Sequence, residues 1–208
     1  MDFNRREALR YLRARPDDKD AQVLVDTVYL KFRNELQARH VLTKTKVTVD
    51  TEGITLANGT RFTSRDLAAH VQGCEEVLLL GATLGSRVDA AIRRLALGSV
   101  AEGAAAQAVA AALIESYCDE VQAKFDTGGL AQRPRFSPGY GDWDLAEQRL
   151  LFPVLNCAKL IGLTLTEGCM MAPSKSVTAV IGLSEDVQCV WNKCMTCGNI
   201  NCPYRAGE

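Results

Sequence analysis

The run Val77-Leu78-Leu79-Leu80-Gly81-Ala82-Thr83 is apolar up to its closing threonine. A strand with one wet face alternates apolar and polar residues, whereas a strand covered on both faces reads as an uninterrupted run of this kind. These residues therefore predict a central strand with other structure packed on each side of it. Upstream, residues 45–62, TKVTVDTEGITLANGTRF, do alternate, and Asn58-Gly59 favours the positive φ angles of a tight hairpin turn. The sheet is accordingly expected to be antiparallel.

Helical patterns frame it. Apolar residues recur at three- and four-residue spacing over 5–14 and 21–39, with Asn4 and Asp20 placed as N-caps. Thr63-Ser64-Arg65-Asp66 can cap a helix over 65–72, and further helices are expected at 87–97 and 101–124. The second of these is dense in alanine and reads as a buried packing helix. Another helix begins near Leu145, where Asp144 and Glu147 have capping-box spacing; Pro153 kinks it or starts a second helix that ends before Gly162. LTLTEGCMM and SVTAVIGL read as strands joined through a turn at Pro173, and no repeat of 20–50 residues is present.

With 208 residues, the chain has room for one domain and a small appendage. The expected fold is α+β: a single domain over 1–186 with an antiparallel β-sheet and flanking helices, its first 40 residues helical, plus a small Cys-rich tail over 187–208. A composition of 47% hydrophobic and 24% charged residues excludes disordered and low-complexity classes. The net charge of −1 supplies no global excess for nucleic acid or an anionic membrane, so neither is an expected partner. The first residues are charged and no run of about 18 apolar residues occurs, which makes a cytoplasmic protein the expectation.

Of the eight cysteines, Cys74, Cys118, Cys157 and Cys169 are scattered and read as small buried hydrophobes. Cys189, Cys194, Cys197 and Cys202 crowd together as Cys-x4-Cys-x2-Cys-x4-Cys, a set of soft ligands able to surround one zinc ion or an Fe–S cluster. The alternative for them is a reduced tail without metal. His40 and His70 lack a partner pattern and read as surface or packing residues, and GATLG reads as a strand-to-helix turn, being neither a P-loop nor a dinucleotide fingerprint.

The main loop with functional chemistry is 127–144, TGGLAQRPRFSPGYGDWD. Within it Pro138-Gly139 can form a tight turn that exposes backbone groups, Arg135 can grip a carboxylate bidentately, and Tyr140 can pack on an adenine or a cationic sulfur. A purely structural turn is the bland reading of the same residues.

From Arg135 to Leu183 the sequence resembles the activation domain of vitamin B12-dependent methionine synthase, most closely its stand-alone members. RFSPGY matches that family's Arg-x-x-x-Gly-Tyr motif, and GYGDWDLAEQ, LTLTEGCMMAP and SKSVTAVIGL look like its following segments. The likeness extends more loosely back through EEVLLLGATLGSRVDAAI and the hairpin. It implies a domain that binds S-adenosylmethionine and supports reductive methylation of cob(II)alamin in trans. The cobalamin would be carried by a partner methionine synthase chain, with a flavodoxin or ferredoxin as candidate electron donor. The nucleophile would be cobalt, so no side chain of this chain is assigned a catalytic role.

By position, the resemblance implies that Arg135 holds the methionine carboxylate, that Ser137, Pro138 and Gly139 meet the ligand through the loop, and that Tyr140 lines its pocket. Glu115 is the candidate for the acidic residue facing the ligand ammonium, with Asp119 one turn later in reserve. Thr166 and Glu167 match the family's Thr-Glu strand, and Pro173, Lys175 and Ser176 match its Pro-x-Lys-Ser turn, where contact with ligand, approach of the corrinoid and turn stability are the open roles. Ala172 stands where the fused enzyme has a tryptophan. Two other readings remain: a metal-containing redox or interaction adaptor for another corrinoid protein, and a structural subunit completing a truncated methionine synthase.

Overall fold

The strand expected at 77–83 forms over Glu76–Thr83, and every residue after Glu76 is buried. The computed structural model describes residues 2–185. Its elements in chain order are α1 (Arg5–Leu12), α2 (Lys19–Phe32), β1 (Arg39–Asp50), β2 (Gly53–Leu56), β3 (Arg61–Thr63), α3 (Arg65–His70), β4 (Glu76–Thr83), α4 (Ser86–Gly98), α5 (Val100–Lys124), β5 (Ala131–Gln132), α6 (Gln148–Leu155), α7 (Cys157–Ile161), β6 (Thr164–Leu165), β7 (Met171–Ala172) and β8 (Ser176–Ser184), with a single 3₁₀ turn at Leu145–Glu147 before α6.

Six strands form one sheet in the order β3-β2-β1-β4-β8-β5, with antiparallel neighbours throughout. β4 lies inside it, pairing Leu80 with Leu42 of β1 on one side and with Ala179 of β8 on the other. Successive side chains of a strand face opposite ways. Leu78, Leu80 and Ala82 of β4 thus join Ile181 and Leu183 of β8 beneath α1, α2, α4 and α5. Val77 and Leu79 join Val180 on the other face, beneath α3, α6 and α7. The result is the α+β domain that the apolar run implies, a sheet with helices on both faces.

Local chemistry explains most boundaries. Asn4 accepts from the Glu7 amide and Ser64 from the Leu67 amide, each capping its helix. α5 is buried around much of its circumference by Ala105, Ala106, Ala108, Ala110 and Ala112, small side chains that let neighbouring helices approach. Four expectations require correction. The N-cap of α2 is Asp18, which accepts from the Ala21 amide, and Asp20 lies in the first turn. α2 stops at Phe32, short of residue 39, which already belongs to β1. LTLTEGCMM is a hairpin, β6 turning into β7, because Thr166 binds Met170 in both directions and reverses the chain. Pro153 sits inside α6, while the break to α7 comes at Asn156, a left-handed residue three positions on.

Because β4 carries both cores, Leu79→Ala should cost about 2–5 kcal/mol of unfolding free energy. Leu30→Ala on the exposed side of α2 should stay within about 0.5 kcal/mol. Urea denaturation of the two variants measures both.

Candidate functional site

β5 pairs with β8 at Ala131–Ser184 and Gln132–Leu183, and the chain then continues along the same edge. The Arg133 amide donates to Gly182 O at 2.9 Å, and Phe136 and Val180 exchange two bonds of 2.9 and 2.8 Å. From Gln132 to Phe136 this edge carries one residue more than the facing stretch of β8, so a bulge shifts the alternation and Phe136 faces the opposite side from Gln132. Phe136 enters the core beneath α3 and α6, stacking near Trp143. Arg135, only 9% exposed, turns the other way, toward α5.

There it meets three acceptors. Nη2 donates to Glu115 Oε2 at 2.7 Å, and Nη1 donates to Asp119 Oδ1 at 2.7 Å and to the Gln122 amide oxygen. Residues 115, 119 and 122 are spaced by four and three, which places them on one face of the helix. Burial opposes the charged guanidinium, but Cys118, Glu115 and Asp119 outweigh it and hold the Arg135 pKa above its usual value. A buried arginine is tolerable only when paired and hydrogen-bonded in this way.

The turn after Arg135 has the form its residues imply. The Tyr140 amide donates to Ser137 O at 3.0 Å, with Pro138 and Gly139 between them and Gly139 at φ +92°, a type II turn. The Gly139 amide then donates to Trp143 O at 2.7 Å, doubling the loop back. Tyr140 remains partly exposed above the ion cluster. Desolvation and then Glu115 raise its phenol pKa, while Arg135 pulls it down, so its hydroxyl shares the field of both groups. Tyr11 of α1 feels Glu115 and Tyr140 as well, and burial drives its phenol up first.

Carboxylates staple the loop to the start of α3. Asp142 accepts from the Arg65 and Asp66 amides at 2.9 and 3.1 Å and from the Ser64 hydroxyl, while Asp66 accepts from the Asp142 amide at 3.0 Å. Gly141 permits this closeness, because a Cβ there would stand 2.1 Å from Asp66 Oδ2. Glu147 does not close the expected capping box with Asp144. It accepts instead from the Thr63 amide and from Trp143 Nε1 at 2.7 Å, a cross-chain use that its local spacing conceals. Asp144 does cap, taking the Ala146 amide.

The remaining sequence candidates fall into separate hydrogen-bonded groups. Thr166 and Glu167 are exposed in the β6–β7 hairpin, where Thr166 bonds to Met170 and Arg149 donates to the Glu167 carbonyl. The Ser176 hydroxyl donates to Pro173 O at 2.8 Å and lies 2.8 Å from Thr83 Oγ1, and Lys175 reaches the Gln107 carbonyl of α5 at 3.4 Å. Desolvation lowers the Lys175 pKa. Gln107 and Glu115 are eight residues apart, so Lys175 and Arg135 touch α5 about 12 Å apart along its axis. Clefts of about 450, 460 and 240 Å³ open elsewhere: by Arg39 and Asp89, by Arg149 and Cys157, and by His40 and Tyr117. His40 lies 2.8 Å from the Tyr117 hydroxyl, and buried His70 is 2.8 Å from Pro134 O. Cys74, Cys118, Cys157 and Cys169 are buried thiols outside any disulfide, as expected. Cys189, Cys194, Cys197 and Cys202 lie outside the described residues. Gln122 is the site residue that sequence reasoning missed; its signal was a spacing of seven from Glu115.

A family model described as the activation domain of vitamin B12 dependent methionine synthase matches residues 129–196, which include the Arg135 edge and the turn. Among solved structures, the chain is similar to a crystal structure of the MetH reactivation domain bound to AdoHcy, with a TM-score of 0.62 and 16% identity over 86% of this chain and 70% of that one. At that identity the likeness establishes the fold. No curated protein matches the chain. Among the described residues, no helix is long and apolar enough to cross a membrane.

The Asp142 staple makes an acid-side prediction. The Ser64 hydroxyl above all, then the Asp66 and Arg65 amides, hold the folded Asp142 pKa below its usual value, so its contribution is present above the ordinary aspartate range of about 4 and is lost as pH falls through the folded value. The stability gap between the protein and Asp142→Asn should be constant above about pH 5 and shrink below about pH 4. Thermal melts across that range test it.

Proposed function

We propose that this chain binds S-adenosylmethionine and supports reactivation of a cobalamin-dependent methionine synthase carried on a partner chain. The observation that carries the reading is the Arg135–Glu115–Asp119 cluster directly before an Arg-x-x-x-Gly-Tyr turn. A methionine moiety bears one carboxylate and one ammonium, and the cluster offers one cation and two anions within a single ion-paired group. Arg135 would take the carboxylate, and Glu115, the less exposed of the two acids, the ammonium. Ser137, Pro138 and Gly139 would present the loop backbone, and Tyr140 a partly exposed ring for the adenosine or sulfonium. Lys175, whose contact with α5 lies about 12 Å from that of Arg135, suits the far end of an extended nucleoside–amino acid conjugate or the approach of the partner, while buried Ser176 holds the turn through Pro173. Thr166 and Glu167, exposed on their hairpin, suit the partner.

The partner's cobalamin, once an external donor has given it one electron, would supply the cobalt nucleophile that takes the methyl group and releases S-adenosylhomocysteine. This chain's contribution is orientation: it holds the sulfonium so that the methyl faces the incoming partner, and proximity lowers the barrier. A flavodoxin or ferredoxin would deliver the electron. For Cys189, Cys194, Cys197 and Cys202 we retain a four-thiolate metal site, which rests on spacing alone. Anaerobically purified, iron-reconstituted protein that stays colourless would exclude a cluster there; stoichiometric zinc lost on Cys→Ser substitution would support the zinc form.

Calorimetric titration with S-adenosylmethionine tests the main reading. Saturable binding is expected, and Arg135→Ala should lose about 1.5–3 kcal/mol, a ten- to hundred-fold rise in Kd. Unchanged affinity in Arg135→Ala would remove the basis of the proposal.

A further inference from the structure

We propose that Gln122 is a positioning residue, fixing the Arg135 guanidinium for an amino-acid carboxylate, and that Gln132 fixes Gln122; this rests on the reading of the Arg135 site above. Arginine has five N–H donors and no acceptor, so the group that Gln122 offers Arg135 must be its amide oxygen. The amide nitrogen of Gln122 then faces Gln132, donating to Oε1 at 3.2 Å, while Gln132 Nε2 donates back to the Gln122 backbone carbonyl at 2.8 Å. The chain of bonds has a single polarity and no freedom to flip. Its far end is anchored because Gln132 is paired with Leu183 in the sheet. Strand β5 and the last turns of α5 are thus locked together at the point where Arg135 enters.

The consequence for a ligand lies in which donors are left. Asp119 and Gln122 use both hydrogens of Nη1, and Glu115 uses one of Nη2. Nε–H and the second Nη2 hydrogen are not used by these three partners and are the donors left for a ligand carboxylate. Gln122 achieves this without adding charge. A third carboxylate at this position would hold Nη1 equally well but would repel the anion that Arg135 is meant to receive.

The test uses the full chain and two probes. S-adenosylmethionine carries the amino-acid group, and methylthioadenosine carries the nucleoside and sulfur without it. Gln122→Glu, which keeps the side-chain volume, and Gln122→Ala should each weaken S-adenosylmethionine about ten-fold or more and leave methylthioadenosine unchanged. Gln132→Ala should show a smaller loss of the same selectivity. With no ligand present, the side-chain ¹⁵N signal of Arg135 should broaden or shift in Gln122→Ala. Equal weakening of both probes, or no change in either, would overturn the inference and leave the site reading standing. Wild-type protein that binds neither probe would overturn the site reading and the inference together.

Discussion

Antiparallel pairing of residues 131–136 with β8 is the constraint on which the site depends. The edge register seats Gln132 opposite Leu183 and Phe136 opposite Val180. Four residue steps on this edge span three on β8, and that bulge lets Phe136 enter one core while Gln132 and Arg135 both face α5 on the opposite side. A slip of one residue would exchange them, burying a cation among Leu79, Leu151 and Trp143 and exposing an aromatic ring beside α5. Packing on one side of the sheet therefore enforces the position of the charge on the other.

Electrostatics then finishes what packing begins. Arg135 is buried, yet its partners are graded in exposure: Glu115 is 30% exposed and Asp119 70%. A cation wholly enclosed by buried acids would be a structural ion pair with no reason to release them. Partners that reach solvent leave the donors they do not use open to the approach of a ligand carboxylate with little further desolvation. The loop above the cluster is rigid for a different reason. Asp142, Asp66 and Glu147 spend their carboxylates on the backbone amides of residues 63, 65, 66 and 142, on the Ser64 hydroxyl and on the indole of Trp143, which frees the Ser137–Tyr140 turn from having to hold itself in place.

Sequence reading succeeded where the determining physics is local. The uninterrupted apolar run announced β4, Asn4 and Ser64 announced their helices, and Ser137-Pro138-Gly139-Tyr140 announced a turn through the dihedral preferences of proline and glycine. It failed where the partner is distant or the signal weak. Glu147 looks like a capping residue three positions from Asp144, but its acceptor is spent on Thr63, 84 residues away. No glycine or proline marks the end of α2 at Phe32, so the apolar periodicity ran past it. The reversal inside LTLTEGCMM carries only Gly168 as a turn residue, while Cys169 takes the positive φ. Arg135 and Glu115 were named from a family pattern; that Gln122 joins them follows from tertiary register, which a polar residue on an alanine-rich helix does not reveal by itself.

The central claim is that the guanidinium at the sheet edge receives the amino-acid end of an adenosyl ligand. A crystal structure of the full chain soaked with S-adenosylhomocysteine addresses it most directly. The account predicts the ligand carboxylate on the Nε and Nη2 side of Arg135, its ammonium against Glu115, and its adenosine reaching past Tyr140. Ligand bound instead in the cleft beside Arg39 and Asp89, with Arg135 still held by Glu115, Asp119 and Gln122 and untouched by the ligand, would contradict it.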